Sequence, residues 1–191
     1  MSPQLILASA SPRRAHILET LGVRFRVVVP RVDETLLRGE AGAEAVERLA
    51  RAKVEAVAST ETLPVLAADT VVLSAGAVLG KPDSAAQAAA MLKSLSGCEH
   101  EVVSGVCIVS RGSVLSGIER TAVVFDALTQ AEVDWYVATG EPGDKAGAYH
   151  VDGLGALFVK SVVGSPSNVA GLPVRLVRRL ARDAGLSLGL P

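Results

Sequence analysis

A carboxylate set inside an apolar run is the first feature with chemical consequences: Asp69 follows four apolar residues in the segment LPVLAADTVVL, residues 63–73. An unpaired buried charge is costly. Asp69 therefore either pairs with a nearby lysine or arginine, holds a metal ion, or takes a proton from water. With Thr70 directly behind it, it reads as lying at the carboxyl end of a buried strand, where α/β folds place their ligands.

A second cluster opens the chain. ASASPRRAHIL, residues 8–18, places Ser9, Ser11, Pro12, Arg13 and Arg14 where a strand hands over to a helix. Pro12 suits the first helical turn and Ser11 the N-cap, which leaves backbone N–H groups directed outward beside two guanidiniums. That is an anion site, and the forked guanidinium donors match phosphate oxygens. The plain alternative is a capped helix carrying two solvated arginines.

Asp33, Glu34, Lys53 and Lys81 complete the inventory, several of them in irregular segments. Lys81 stands in GKP, which fails as a nucleotide-binding P-loop, because only three residues separate Gly76 from Gly80 and Pro82 occupies the hydroxyl position. GLGALF, from Gly153, lacks the third glycine of a dinucleotide fingerprint and precedes a strand. His16, His100 and His150 are far apart in the chain, and no serine has a nucleophile-elbow context. What remains is a set of phosphate-sized cations, a few hard oxygen ligands and no covalent nucleophile. Metal-assisted hydrolysis of a polyphosphate fits it, with water as nucleophile, Asp69 as proton acceptor or metal ligand, and Arg13, Arg14, Lys53 and Lys81 neutralising charge on the departing phosphates.

The elements that must position these groups follow from periodicity. At 191 residues the chain can bury one ordinary core, and 49% of it is hydrophobic with only 3% aromatic, a balance suited to helices against a largely buried sheet. One structural unit, 1–191, is expected. Strands are predicted near Leu5–Ala8, Phe25–Val29, through LPVLAADTVVL and near Leu157–Val163, with a long hairpin turning at Arg111 and Gly112 that makes the sheet mixed. Helices are predicted over about 14–21, 43–59, SAAQAAAMLKSL, a short segment capped by Thr129 and Glu132, and about 173–184. GEPGDKAGAYHVDGLGA reads as a long irregular loop, and loops of that length are usually functional or disordered.

Nineteen basic residues against twenty acidic give a formal net charge of -1, so no overall field draws the chain to nucleic acid or an anionic membrane, and any anion site is local. A nucleic-acid binder would show a basic stripe interleaved with aromatics. Cys98 and Cys107 give neither a disulfide framework nor a zinc spacing. The opening residues read as neither a signal peptide nor a membrane span, so a cytoplasmic protein is expected.

These segments resemble the Maf family of nucleoside triphosphate pyrophosphatases almost end to end: LASASPRR, RVDE, RLARAKVEAV, LAADTVV, LGKPDSAAQAAAMLKSLSGCEHEVVSGV and GEPGDKAGAYHVDGLGALFVKSVVGSPSNVAGLPV. The resemblance implies a mixed central β-sheet with flanking helices in two lobes around a cleft, often as a homodimer. It implies hydrolysis of nucleoside triphosphates to the monophosphate and pyrophosphate with a divalent cation, magnesium or manganese, and an association with removal of noncanonical nucleotides and with arrest of cell division. By resemblance Asp69 is the catalytic proton acceptor, Arg13 and Thr70 match positions linked with substrate choice, and Glu34, Lys53 and Lys81 match the polar pocket. Ser9, Ser11 and Arg14 belong to the same substrate-binding segment, with Glu34 and Asp69 as the metal-side carboxylates.

The chain departs from the family at two points. Asp152, in AYHVDGLG, stands where the branch acting on dTTP and UTP carries glutamine and the branch acting on 7-methyl-GTP carries glutamate. An ionised carboxylate only accepts hydrogen bonds whereas an amide also donates, so base preference should shift. DKAGAY looks like the pyrimidine branch, and Pro166 replaces a common aromatic. The base is left unassigned, and a nucleotide-sensing regulatory protein that does not need catalysis is the competing reading.

Overall fold

All four residues of β1, Leu5–Ala8, are buried, yet neighbours enter different cores because side chains alternate across a strand. Leu5 and Leu7 join Leu66, Ala68, Val106 and Ile108 on one face of the sheet, while Ile6 and Ala8 join Val65, Ala67 and Cys107 on the other. The computed structural model describes residues 4–189. Its elements run β1, α1 (Pro12–Thr20), β2 (Phe25–Val28), α2 (Gly42–Ala58), β3 (Val65–Ser74), β4 (Ala77–Leu79), α3 (Ala85–Leu95), β5 (Glu99–Ser110), β6 (Ser113–Phe125), α4 (Gln130–Ala138), β7 (Val159–Val163), α5 (Pro166–Val169) and α6 (Val174–Asp183).

The strands form one sheet in the order β2-β1-β3-β5-β6-β7, with β4 paired to β3 off this path. β1 runs parallel to β2 and β3, while β4 and β7 are antiparallel to β3 and β6. This is the mixed α/β architecture that the long hairpin implied. Among the described residues, no helix is long and apolar enough to cross a membrane.

The described residues divide into two compact units. The first comprises residues up to Asp69, Ser104–Glu119, and those from Gly171 on. Here helix α2 covers one face of the sheet with Ala50, Val54 and Val57, and α1 and α6 cover the other with Leu18, Leu176, Val177 and Leu180. Each fully buried large aliphatic of this kind contributes roughly 1.5–3 kcal/mol. Gly105 fixes how closely α2 lies on β5: a Cβ there would sit 2.3 Å from the carbonyl oxygen of Val46 and 2.6 Å from the amide of Glu47. Only hydrogen fits between helix and strand at that point.

The second unit, Thr70–Val103 and Arg120–Ala170, has its own core of Leu92, Leu95, Phe125, Tyr136 and Phe158. Thr129 and Glu132 form the expected capping box at α4. Within the hairpin of β5 and β6, Arg111 and Gly112 take φ of 50° and 81°, the pair of left-handed residues that a two-residue hairpin favours.

Three expectations are corrected. Helix α1 begins at Pro12, where the reading of Ser11 as N-cap put it, and not near Arg14 where the apolar spacing did, because proline at the first turn is already set for helix. The stretch after Gly140 is not without structure of its own: Glu141–Asp144 and Leu154–Phe158 are 3-10 turns, while between them Gly147 and Ala148 take left-handed φ of 69° and 59°. Asp69 does not end its strand, since β3 continues to Ser74 and Asp69 falls in its middle. It lies beyond the described parallel pairing of Ile6 and Leu7 with Val65 and Leu66, and before the antiparallel pairing that starts at Val72.

His100, 2% exposed on β5, meets Phe125 and Tyr149 edge-on, with its Nε2 3.0 Å from the Tyr149 hydroxyl. Burial pushes its pKa down from 6.5 to about 4. The unfolded chain takes up this proton near pH 6.5 while the folded chain resists until about 4, so the contribution is present above 6.5 and is lost as pH falls towards 4. The full effect is on the order of 3 kcal/mol. Urea unfolding at pH 7 and pH 4 should show a smaller loss for His100→Gln than for the natural protein; equal losses would exclude this residue as the cause.

Candidate functional site

Strand parity and helix periodicity bring Asp69 and Lys53 face to face. Val65 and Ala67 point towards α2, so Asp69, two residues on, points the same way. On α2 the buried stripe runs Leu49, Ala50, Lys53, Val54 and Val57, which carries the lysine into the layer between helix and sheet. Lys53 Nζ donates to Asp69 Oδ1 at 2.6 Å and lies 2.9 Å from Glu34 Oε1. Lys53 is 4% exposed and Asp69 8%, whereas the Glu34 side chain is 58% exposed. One ammonium thus bridges a buried carboxylate and one that reaches solvent. Removing one member of such a buried pair costs about 3–5 kcal/mol unless another group takes the charge.

Glu34 comes from the polar stretch after β2, which is fastened to α2. Arg48 grips Glu40 with two hydrogen bonds, Nε to Oε1 at 2.6 Å and Nη2 to Oε2 at 2.7 Å, and Nη2 also donates to the Thr35 carbonyl at 3.2 Å. The Arg48 hydrogen bonds hold the Glu40 pKa down at about 2. Asp33 takes no part in the Lys53 group; it accepts from the Thr35 amide at 2.9 Å, and hydrogen bonds with Thr35 lower its pKa.

The opening loop differs in detail from its expected form. Ser11 occupies the N-cap position of α1 without a side-chain cap. Its amide donates instead to Ser9 Oγ at 3.1 Å, and Arg14 Nη1 donates to the same oxygen at 3.3 Å. Ser9 is buried and acts as the hub of the turn. Arg14 Nε donates to the Gly171 carbonyl at 2.8 Å, which tethers the loop to the segment before α6. Burial lowers the Arg14 pKa; Asp69 opposes this, Arg13 adds to it and Glu34 again opposes it. The guanidinium therefore lies within electrostatic reach of both carboxylates. The first unit in this way gathers Ser9, Ser11, Arg13, Arg14, Glu34, Lys53 and Asp69.

Thr70, Lys81 and Asp152 belong to the second unit. Thr70 is half-buried, and Lys81 and Asp152 are exposed. Lys81 follows Gly80, whose carbonyl accepts from the Gly147 amide at 3.0 Å. Around Asp152 a ring of hydrogen bonds fixes the backbone: Glu141 accepts from the amides of Leu154 at 3.1 Å and Gly155 at 3.0 Å, and from the Tyr136 hydroxyl at 2.7 Å. That hydroxyl accepts in turn from the His150 amide at 3.0 Å. Burial raises the Glu141 pKa, but the Tyr136 hydroxyl and the two amides outweigh it and the net shift is downward. A Cβ on Gly153 would lie 2.4 Å from Glu141 Oε2, so a glycine is needed beside Asp152.

Sequence reasoning missed Glu141, Tyr136 and Lys145. Lys145 is 8% exposed and paired with Asp144; a lysine among the small residues of DKAGAY was the one available signal. Glu141 and Tyr136 carry no signal, because their partners lie up to 14 residues away in a stretch that looked irregular. Glu141→Ala leaves two amides and a hydroxyl without their acceptor. It should lower stability by about 1–3 kcal/mol in urea unfolding, and a change under about 0.5 kcal/mol would exclude the ring as a structural support.

Among the described residues, no three His, Cys, Asp or Glu side chains cluster as a ready-made metal cage. Asp69 and Glu34 nevertheless offer two hard oxygen donors converging on one point, the Lys53 ammonium. Carboxylate oxygens are the donors that magnesium or manganese take, with waters and substrate phosphates as further ligands, and here a cation would bind through the oxygens that Lys53 leaves open.

Comparison with known proteins places the chain in a family. A protein of Anaeromyxobacter dehalogenans named dTTP/UTP pyrophosphatase is 49% identical over 98% of this chain and 97% of its own length. One of Bacillus cytotoxicus with the same name is 48% identical over 96% of this chain and 98% of its own. The solved Ham1 protein of Staphylococcus aureus is 16% identical and aligns over 94% of each chain with a TM-score of 0.49. The family model described as Maf-like protein matches residues 4–184, which takes in Asp69, Lys53 and every other residue of the site, and the chain belongs to that family.

Proposed function

We propose that this chain hydrolyses nucleoside triphosphates to the monophosphate and pyrophosphate, with Asp69 as the base. The observation that carries the reading is the Asp69–Lys53–Glu34 group, built from a mid-strand carboxylate and a buried helical lysine in a chain of this family. The protein is a nucleoside triphosphate pyrophosphatase. Asp69 accepts the proton of the attacking water, and the Lys53 hydrogen bond at 2.6 Å fixes the carboxylate's orientation. Arg13 and Arg14, from the loop centred on Ser9, supply forked donors for the phosphate oxygens; a phosphate role for Lys81 rests on the resemblance alone. Asp69 and Glu34 would hold a divalent cation, magnesium or manganese, which when bound neutralises phosphate charge.

Because its relatives are named dTTP/UTP pyrophosphatases, dTTP and UTP are the first substrates expected. By the resemblance, Thr70 and Asp152 take part in base choice, and an ionised Asp152 offers only an acceptor where that branch has an amide. Homodimer formation, clearance of noncanonical nucleotides and a link to division arrest belong to the same proposal and rest on the resemblance; cytoplasmic placement is proposed with them.

The test is a panel of triphosphates incubated with the purified protein and magnesium, with released pyrophosphate as the readout. Product from dTTP or UTP is expected. Nucleotide binding without product from any member would overturn the reading in favour of a nucleotide sensor. Asp152→Gln should raise kcat/KM for UTP, and the gain should be largest for bases that accept a hydrogen bond; an unchanged ranking of bases would remove Asp152 from base recognition.

A further inference from the structure

A second cationic feature lies on α6, in the first unit. Leu176, Val177 and Leu180 turn into the core, while Arg175, Arg178, Arg179 and Arg182, spaced three, four and seven residues from the first, share the exposed side. With Glu119 and Leu176 they line a concave pocket of about 250 Å³. Gly117 on β6 brings its floor close: a Cβ there would stand 3.1 Å from Leu176 and 3.5 Å from Arg179 Nη2. A side chain at 117 would crowd the space in which the Arg179 fork lies.

Four arginines meet one glutamate in this pocket, with Asp183 close to Arg182 at 3.5 Å, although the chain as a whole is balanced at -1. The concentration is therefore local. All four are arginine and none is lysine, the choice that suits forked, several-point recognition of phosphate oxygens. No aromatic residue lines the pocket, so a base has nothing to stack on. Its concave form suits a compact anion better than a strand of nucleic acid.

We propose that the α6 pocket binds a small oligophosphate, of the pyrophosphate or tripolyphosphate class, independently of the nucleotide site. The Asp69–Lys53 pair lies on the α2 face of the sheet in this unit, whereas α6 packs on the other face with Leu66 and Ala68. None of the four α6 arginines is among the residues of the nucleotide site.

The whole chain, labelled with nitrogen-15, is titrated with inorganic pyrophosphate and tripolyphosphate at constant ionic strength. Saturable shifts are expected at the amides of residues 175–182 and at their arginine side-chain N–H groups. Arg178→Gln with Arg179→Gln should weaken this binding by about tenfold or more while leaving nucleotide turnover unchanged. Absence of a saturable shift at α6, the same shifts with sulfate at the same ionic strength, or stronger saturable shifts with an oligothymidylate would each overturn the proposal. The natural protein alone decides these outcomes should the double variant fold poorly, and they are read whether or not the chain hydrolyses nucleotides.

Discussion

Asp69→Asn is expected to lower nucleoside triphosphate turnover by about 10²–10⁴-fold, the contribution of a positioned general base, with little change in KM. The amide keeps the shape of the carboxylate and retains an oxygen for the Lys53 hydrogen bond, but it cannot take the proton of water. Lys53 is not left as an isolated buried charge, since Glu34 remains 2.9 Å from its Nζ. The fold should therefore survive with a modest loss of stability, and circular dichroism with urea unfolding checks this alongside pyrophosphate release. Near-normal release from a folded variant would remove Asp69 from the chemistry.

Gly105→Ala carries the largest stability effect expected. The added Cβ would lie 2.3 Å from the Val46 oxygen, 2.4 Å from its carbonyl carbon and 2.6 Å from the Glu47 nitrogen. These are backbone atoms of a helix packed over a buried strand, so no flexible side chain can move aside. Relief requires α2 to lift from β5, which opens the layer around Ala50, Val54 and Val57. A loss of about 3 kcal/mol is expected in urea unfolding, at the upper end for overpacking. Because Lys53 sits on the same helix, the variant should also lose activity at temperatures where it remains folded. A change below about 0.5 kcal/mol would show that helix and strand separate easily, and the proposed rigid placement of Lys53 would fail with it.

Much of this architecture was legible without coordinates. The stripe of α2, the Thr129 capping box and the turn at Arg111–Gly112 each depend on residues within a few positions of one another, and such local signals survive whatever the rest of the chain does. The oddity of Asp69 was legible too, because a carboxylate in an apolar run stands out wherever it folds. Its partner was not. Lys53 is 16 residues away on a helix whose direction over the sheet depends on which strands pair, and that order leaves no local trace.

The opening loop divides in the same way. Residue types alone set out an anion-binding turn, but the choice of Ser9 over Ser11 as its hub depends on Arg14, which is anchored to a carbonyl 157 residues along the chain. The Glu141 ring around Asp152 and the arginine pocket on α6 likewise required neighbours from separate segments. The sequence by itself determined the elements, the family and the kinds of charge available, since these are carried by short periodicities and long matching segments. Tertiary structure alone decided which charges meet. Burial of alternate strand faces turns Asp69 towards α2, and the packing of that helix over the sheet, close at Gly105, sets Lys53 in front of it.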